Sequence, residues 1–259
     1  MSPAVATESV IVEPRDAILL ITFNRPEARN AVDRATADAV GAAIDLLERD
    51  AALRVGVIAG NGPVFCAGMD LKAFSRGESP RTPERGFAGL TSTPPVKPLI
   101  AAVEGAAVGG GFEVVLSCDL VVASTSARFG LPEVKRGLTA AGGGLLRLPS
   151  RVPYNRAMEM ILTGELIDAE QAHREGLLNR LVPPGEALDT ALTLAGVIAA
   201  NGPLAVIASK RVVTDSRDWM VAEAFGRQES IVGPVRQSAD AREGALAFAE
   251  KRPPVWQGL

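Results

Sequence analysis

The sequence predicts an α/β core, on three observations. Short β-rich apolar runs alternate with segments of helical period, one such run enters a helix through a cluster of glycines, and the composition is that of a packed domain. The chain has 259 residues, of which 47% are hydrophobic and 22% charged. That balance excludes disorder, collagen and a coiled-coil rod. The formal charge of −3, from 27 Lys and Arg against 30 Asp and Glu, gives no general pull toward nucleic acid. A polyanionic ligand would need a local cluster of basic side chains.

In chain order, residues 17–23 (AILLITF) and 55–59 (VGVIA) read as buried strands bounded by turn residues. Between them, Ala37, Val40, Ile44 and Leu47 recur at steps of three and four, which predicts an amphipathic helix over 36–49. Residues 72–95 are rich in Ser, Gly, Pro and Arg and have no apolar period, so they are expected to form a mobile lid or binding loop. Strands are expected at 99–103, 120–123 and 127–130, the first leading through a glycine-rich turn into a helix. The apolar stretch 99–123 carries Glu104, Glu113 and Asp119 and reads as folded core rather than a membrane span. Beyond about Gly142, helical runs take over at 142–150, 154–162, 169–175, 186–200, 204–215 and 240–251, with strand-like character only near 177–182. Pro183-Pro184-Gly185 or Asn201-Gly202-Pro203 separates this part from the core. The division adopted is a core over 1–200 and a helical region over 201–259.

The chemical inventory is narrow. His173 is the one histidine, so a multi-histidine metal site is impossible and any Ser-His-Asp or Cys-His arrangement must use it. Cys66 and Cys118 cannot make a disulfide scaffold and fit a reducing cytoplasm. The opening MSPAVATESV has neither a basic nor an apolar signal-peptide region, so a cytoplasmic location is expected.

The most informative segment runs from Val103 to Leu116 (VEGAAVGGGFEVVL). A strand enters Gly109, Gly110 and Gly111 and a helix leaves them, so backbone N–H groups can approach a ligand unobstructed. A dinucleotide fold uses a similar turn, but the glycines at 105, 109, 110 and 111 do not follow G-x-G-x-x-G and lie mid-chain. Glu113, in the first turn and among apolar neighbours, would repel a pyrophosphate. It reads either as a helix-dipole partner or as an acid or base whose charged form is disfavoured by burial. Glu133, after Phe129-Gly130-Leu131-Pro132, reads as a surface acid or as a second carboxyl over the same pocket. The run Pro63-Val-Phe-Cys66-Ala67-Gly68-Met69-Asp70-Leu71 is a strand exit with small residues, so the Met69 N–H is placed to face the Gly110 N–H as an oxyanion hole. A Cys66–His173 nucleophile pair competes with a buried thiol and a solvated helix histidine.

Taken together, Asn24-Arg-Pro-Glu-Ala-Arg-Asn-Ala31, Phe65-Cys-Ala-Gly-Met-Asp-Leu71, the Val103–Glu113 glycine segment, Phe129-Gly-x-Pro-Glu133 and Ala247-Phe-Ala-Glu-Lys-Arg-Pro253 resemble, in order and spacing, the crotonase (enoyl-CoA hydratase/isomerase) superfamily over essentially the whole chain. The resemblance implies a spiral core of ββα turns with a C-terminal helical region used in trimerisation, as a trimer or a hexamer of two trimers. It implies an acyl-CoA substrate, no metal or further cofactor, and a thioester oxygen held by the N–H groups of Met69 and Gly110. Glu113 then activates water for attack on C3 and Glu133 delivers the proton to C2. For coenzyme A it suggests Arg25, Ala28, Arg29, Ala67, Asp70, Leu71 and Lys72, with Phe248 and Lys251 approaching from a neighbouring subunit. Each basic residue has a solvated surface charge as its alternative reading.

Retention of both glutamates favours reversible hydration of a 2-enoyl-CoA in acyl-CoA metabolism. One departure bears on this: Ala140-Ala141 stand where many hydratases have Pro-Gly. Similar sequences occur in family members that dehydrate or racemise polar acyl-CoAs such as carnitinyl-CoA, and a dehydratase or isomerase of another acyl-CoA is the alternative activity. A non-catalytic acyl-CoA-binding protein is the alternative of another class. Acyl specificity is expected to come from the 72–95 segment and from packing around Phe87, Leu90 and Tyr154.

Overall fold

The computed structural model describes residues 5–259. Strands β1 (Val5–Ala6), β2 (Val10–Arg15) and β3 (Ile18–Phe23) form an antiparallel meander, and a 3-10 turn at Pro26–Ala28 leads to helix α1 (Arg34–Arg49). Helix α1 starts where the Asp33 carboxylate accepts the Thr36 N–H at 2.8 Å, a side-chain N-cap. It returns the chain to β4 (Val55–Gly60), parallel to β3. A short helix α2 (Leu71–Ser75) and a small hairpin of β5 (Arg81–Thr82) and β6 (Gly86–Phe87) follow.

The next two turns share one plan. Strand β7 (Leu99–Val103) joins β4 in the main sheet, the chain crosses to β8 (Ala106–Val108) in a second sheet, and helix α3 (Gly110–Ser117) leaves it. Strand β9 (Leu120–Ser124) then pairs in parallel with β7, β10 (Arg128–Gly130) pairs in parallel with β8, and a 3-10 turn (Pro132–Arg136) and α4 (Gly144–Arg147) follow. The β4 turn repeats the plan in reduced form, because Cys66 makes a single parallel bridge to Ala107 of β8. Three successive exits, at 67–70, 109–113 and 131–133, therefore lie side by side at one end of the second sheet. This stacking brings chemistry from distant parts of the sequence together.

Helix α5 (Tyr154–Thr163), β11 (Ile167–Asp168), α6 (Ala169–Arg174) and β12 (Arg180–Val182) complete the two sheets. The main sheet runs β1-β2-β3-β4-β7-β9-β12 and the second β11-β10-β8. Helix α7 (Ala187–Ala199) covers the far face of the main sheet, laying Ala187, Ala191, Ala195 and Ala199 against Leu20, Val57, Ile100 and Val122. The opposite face packs Leu19, Ile21, Ile58 and Val103 under α1 and α3. A sheet buried on both faces explains the continuous apolar strands in the sequence. Each fully buried aliphatic side chain there contributes roughly 1.5–3 kcal/mol.

Helices α8 (Pro203–Asp215), α9 (Val221–Arg236) and α10 (Ala239–Glu250) form the C-terminal region. Lys210 ties α8 to the core through the carbonyls of Pro95 (2.7 Å) and Lys97 (2.9 Å) and the Asp119 carboxylate (2.6 Å). Among the described residues, no single helix is long and apolar enough to cross a membrane.

Most expected elements stand within two or three residues of their predicted bounds. The 72–95 segment differs most, being folded rather than structureless. Phe87, Ala88, Leu90 and Thr91 are buried, and its turns use Gly86, Ala88 and Gly89 at positive φ, a device with no periodic signature. The expected helix at 142–150 is α4 followed by a 3-10 turn at Leu148–Ser150. Helix α9 escapes sequence reading because none of its residues is buried and Gly226, Gly233 and Pro234 interrupt its pattern.

Candidate active site

The site begins with backbone. Residues 66–70 thread between β8 and the 29–32 turn. On one side the Cys66 N–H donates to the Ala106 carbonyl (3.1 Å), and the Cys66 carbonyl accepts from the Val108 N–H (3.0 Å). On the other, the Gly68 carbonyl accepts from the Val32 N–H (2.8 Å) and the Asp70 N–H donates to the Val32 carbonyl (2.9 Å). A parallel bridge of this kind turns the N–H of the intervening residue, Met69, away from Val32. Gly68 sits at φ 89°, and a Cβ there would lie 2.9 Å from the Gly110 nitrogen, so the two backbones touch. Gly110 opens α3, where a helix has no acceptor of its own for the N–H. Among the described residues neither the Met69 nor the Gly110 N–H finds a protein acceptor, and both residues line one cavity of about 470 Å³.

A clamp holds this cradle. Buried Asn30, in left-handed backbone (φ 54°), donates to the carbonyls of Asn61 (2.9 Å) and Val64 (2.7 Å) and accepts the Arg25 N–H (2.9 Å). Arg25 pairs with Asp33 (3.0 Å) and Asp70 (3.1 Å) and donates to the Ala31 carbonyl (2.6 Å). Burial alone would raise the Asp70 carboxyl, but the Ala73 N–H, Arg25 and the Lys72 N–H together hold it below the usual carboxylate range. Asn30 lies inside a motif quoted above, yet its role needs Asn61 and Val64, which spacing does not predict.

Two carboxyls face the cavity. Glu113 is 3% exposed, and its Oε1 accepts the N–H groups of Gly142 (2.7 Å) and Gly144 (2.8 Å). Burial raises its pKa against the opposing pull of those two donors, Arg81 and Arg147. Glu133 stands in the 3-10 turn after β10, and its buried Oε2 has no hydrogen-bond partner. Burial raises its pKa too, and the negative charge of Glu113 adds to the rise against the turn's own N–H and Arg136. The pair is thus within electrostatic reach, with one oxygen of Glu113 fixed by backbone and one of Glu133 unpaired. Gly142, Gly144, Arg81 and Arg147 carried no role in the sequence reading, because the 140–144 loop meets α3 only through the fold.

The residues suggested for coenzyme A divide. Ala67 and Leu71 line the cavity and Lys72 is exposed beside it on α2. Arg29 is exposed, and its carbonyl accepts the Ala67 N–H (3.0 Å); Ala28 is half-buried in the same turn. Arg25 and Asp70 are not free groups, since they neutralise each other in the clamp. Phe248 and Lys251, at the end of α10, are exposed and do not line the cavity of their own chain. Of the expected acyl-pocket residues, Phe87 lines the cavity, whereas Leu90 is buried in the core and Tyr154 is exposed on α5 away from it. Ala141 lines the cavity and Ala140 is buried behind it.

The nucleophile-pair reading fails. Complete burial pushes the Cys66 thiol up to about 12, so it is not a thiolate at neutral pH, and the His173 ring contacts the Leu178 carbonyl (3.2 Å) instead.

Residues 13–259 match the family model described as enoyl-CoA hydratase/isomerase. The chain is 42% identical over 260 residues, 97% of its length and 99% of the relative's, to a carnitinyl-CoA dehydratase of Proteus mirabilis (strain HI4320). Among solved structures, enoyl-CoA hydratase EchA1 from Mycobacterium marinum is 56% identical with a TM-score of 0.96, covering 98% of this chain and 100% of that one. A carnitinyl-CoA hydratase from Mycobacterium avium is 47% identical at a TM-score of 0.79 over the same shares. Matched over residues 13–259 by that family model and over nearly its full length by these relatives, the chain belongs to the enoyl-CoA hydratase/isomerase family of the crotonase superfamily.

Proposed function

We propose that this protein is a hydro-lyase that moves water reversibly across the C2–C3 bond of an acyl-CoA thioester bearing a polar acyl group. The observation that carries the reading is the pair of burial-raised carboxyls beside two N–H groups without protein acceptors. In the dehydration direction, Glu133 removes the C2 proton, charge collects on the thioester oxygen, and the N–H groups of Met69 and Gly110 stabilise it. Each such donor is worth on the order of 3 kcal/mol in the transition state. The enolate then re-forms the carbonyl, C2–C3 becomes a double bond, and the C3 hydroxyl leaves as water with a proton from Glu113. Hydration reverses every step, and no redox or metal chemistry enters the scheme.

The polar dehydratase is preferred to plain fatty enoyl-CoA hydration because the curated relatives are named carnitinyl-CoA dehydratase and the cavity carries charged side chains beyond the two acids. Simple enoyl-CoA hydration is the second reading, favoured by the names of solved relatives such as the Mycobacterium marinum protein. A panel of 2-enoyl and 3-hydroxyacyl CoA thioesters, followed at the conjugated enoyl-thioester absorbance, separates these. Turnover of polar 3-hydroxyacyl-CoAs is expected; tight binding with no turnover of any member would leave a binding protein and end the enzymatic reading.

We further infer that α9 and α10 assemble the chain into a trimer or a hexamer. Supporting this, Val221, Phe225 and Phe248 are 91%, 84% and 88% exposed, more apolar surface than a lone chain carries at low cost. Sedimentation is expected to give three or six copies, and Phe225→Arg to dissociate them. A monomeric wild-type protein would refute the assembly and with it any contribution of Lys251 to a neighbour's coenzyme A.

A further inference from the structure

Five charged residues line the 470 Å³ cavity: Glu78, Arg81, Glu113, Glu133 and Arg136. Glu113 and Glu133 are assigned above, and Glu78 is paired outward with Arg76 at 2.9 Å. The two arginines are left without a carboxylate within 4.0 Å among the described residues. Arg136 donates no side-chain hydrogen bond there, and Arg81 donates only one, to the neutral carbonyl of Ala141 (3.2 Å).

The position of Arg81 says which part of a substrate it meets. Ala141 precedes Gly142, whose N–H holds Glu113, so Arg81 stands beside the carboxyl assigned to C3. If the thioester oxygen rests on the Met69 and Gly110 N–H groups and the coenzyme A arm lies along Ala67 and Leu71, the part of the lining that includes Ala141 and Arg81 is left to the acyl group. Arg81 feels the Glu113 charge and Arg136 the Glu133 charge, but no carboxylate contacts either guanidinium, so their N–H donors stay open to a bound anion and offer nothing to a cation.

We propose that Arg81, assisted by Arg136, selects acyl groups that carry a carboxylate beyond C3 and disfavours the quaternary ammonium of a carnitinyl group. The inference rests on the hydro-lyase reading and separates this chain from relatives named for a cationic substrate. The bidentate fork of a guanidinium suits a carboxylate, whereas a trimethylammonium offers no acceptor and the wrong charge. The same chemistry could instead hold a coenzyme A phosphate, so the experiment must tell the two sources apart.

The test uses three 3-hydroxyacyl-CoA thioesters of matched length, ending in a methyl, a carboxylate and a trimethylammonium group, with free coenzyme A as competitive inhibitor. For the wild-type protein kcat/KM is expected to favour the carboxylate over the ammonium by about tenfold or more, the scale of one charge-assisted contact. Arg81→Glu should invert that order relative to the methyl substrate, and Arg81→Gln should flatten it. A structural role for Arg81 would lower all three substrates by one factor, and a phosphate role would weaken free coenzyme A equally; either result overturns the proposal, as does a wild-type preference for the ammonium. Turnover without charge discrimination sinks this inference alone, whereas no turnover of any thioester sinks the hydro-lyase reading beneath it as well.

Discussion

Glu113→Gln is expected to lower the rate of water addition or elimination by about 10²–10⁴-fold while making the protein more resistant to heat at neutral pH. The amide oxygen of Gln can still accept the Gly142 and Gly144 N–H groups that hold Oε1, so the geometry survives and the proton does not. Burial raises the Glu113 pKa in the folded protein. A carboxyl raised on folding stabilises the native state fully below its unfolded pKa, about 4.3, and that contribution is lost as pH rises through the folded value. At any pH above the unfolded value the raised carboxyl therefore costs stability relative to the unfolded chain, and an uncharged Gln does not carry that cost. The melting-temperature advantage of Glu113→Gln should grow as pH rises above about 4 and level off only above the folded pKa. Glu133→Gln should behave in the same sense, since burial and the Glu113 charge raise that group as well. Full turnover in both variants, or a stability gap that does not change with pH, would refute the assignment of these carboxyls.

Gly68→Ala is expected to reduce kcat/KM by about 10²–10³-fold, the effect of losing one oxyanion donor. The position has φ 89°, and an added Cβ would meet the Gly110 nitrogen and the Val108 oxygen, each at 2.9 Å. Those neighbours are backbone, so they yield only by moving β8 and the start of α3. The displacement separates the Met69 and Gly110 N–H groups, which the proposed mechanism needs to converge on one oxygen. A stability loss of about 1–3 kcal/mol accompanies it from the strained backbone. Gly176→Ala is the matched control, because Gly176 has φ 83° and nothing within 4 Å of an added Cβ, so its cost is conformational only. If the two alanine variants lost activity equally, the contact between the 66–70 segment and α3 would not be what positions the donors.

Much of the fold was legible because its signals are local. Strands β3, β4, β7 and β9 announce themselves as continuous apolar runs, since both faces of their sheet are covered. The Ala37–Leu47 stripe gives α1 in the same way, while its start at Arg34 is set by the Asp33 cap that the structure shows. The crossing to β8 was missed because three residues between glycines carry no period, and it is that strand which makes the bridge to Cys66. The 72–95 segment lines the cavity as a binding loop would but is ordered, and that order is illegible in the sequence for a related reason: it comes from buried Phe87 and Leu90 and from positive φ at Gly86, Ala88 and Gly89.

For the site, the sequence by itself determined the residue types: two acids next to turns, glycines at the turn that enters α3, and a single histidine whose place relative to Cys66 it left open. It could not say which of 27 basic residues are free. Arg25, in the Asn24–Ala31 motif, is consumed by Asp33 and Asp70, whereas Arg81, in a segment with no apparent pattern, reaches the cavity with no carboxylate in contact. Only tertiary structure decided that. A charge is neutralised by whatever the long-range strand register sets beside it, and in this fold the register stacks exits from three separate turns around one cavity.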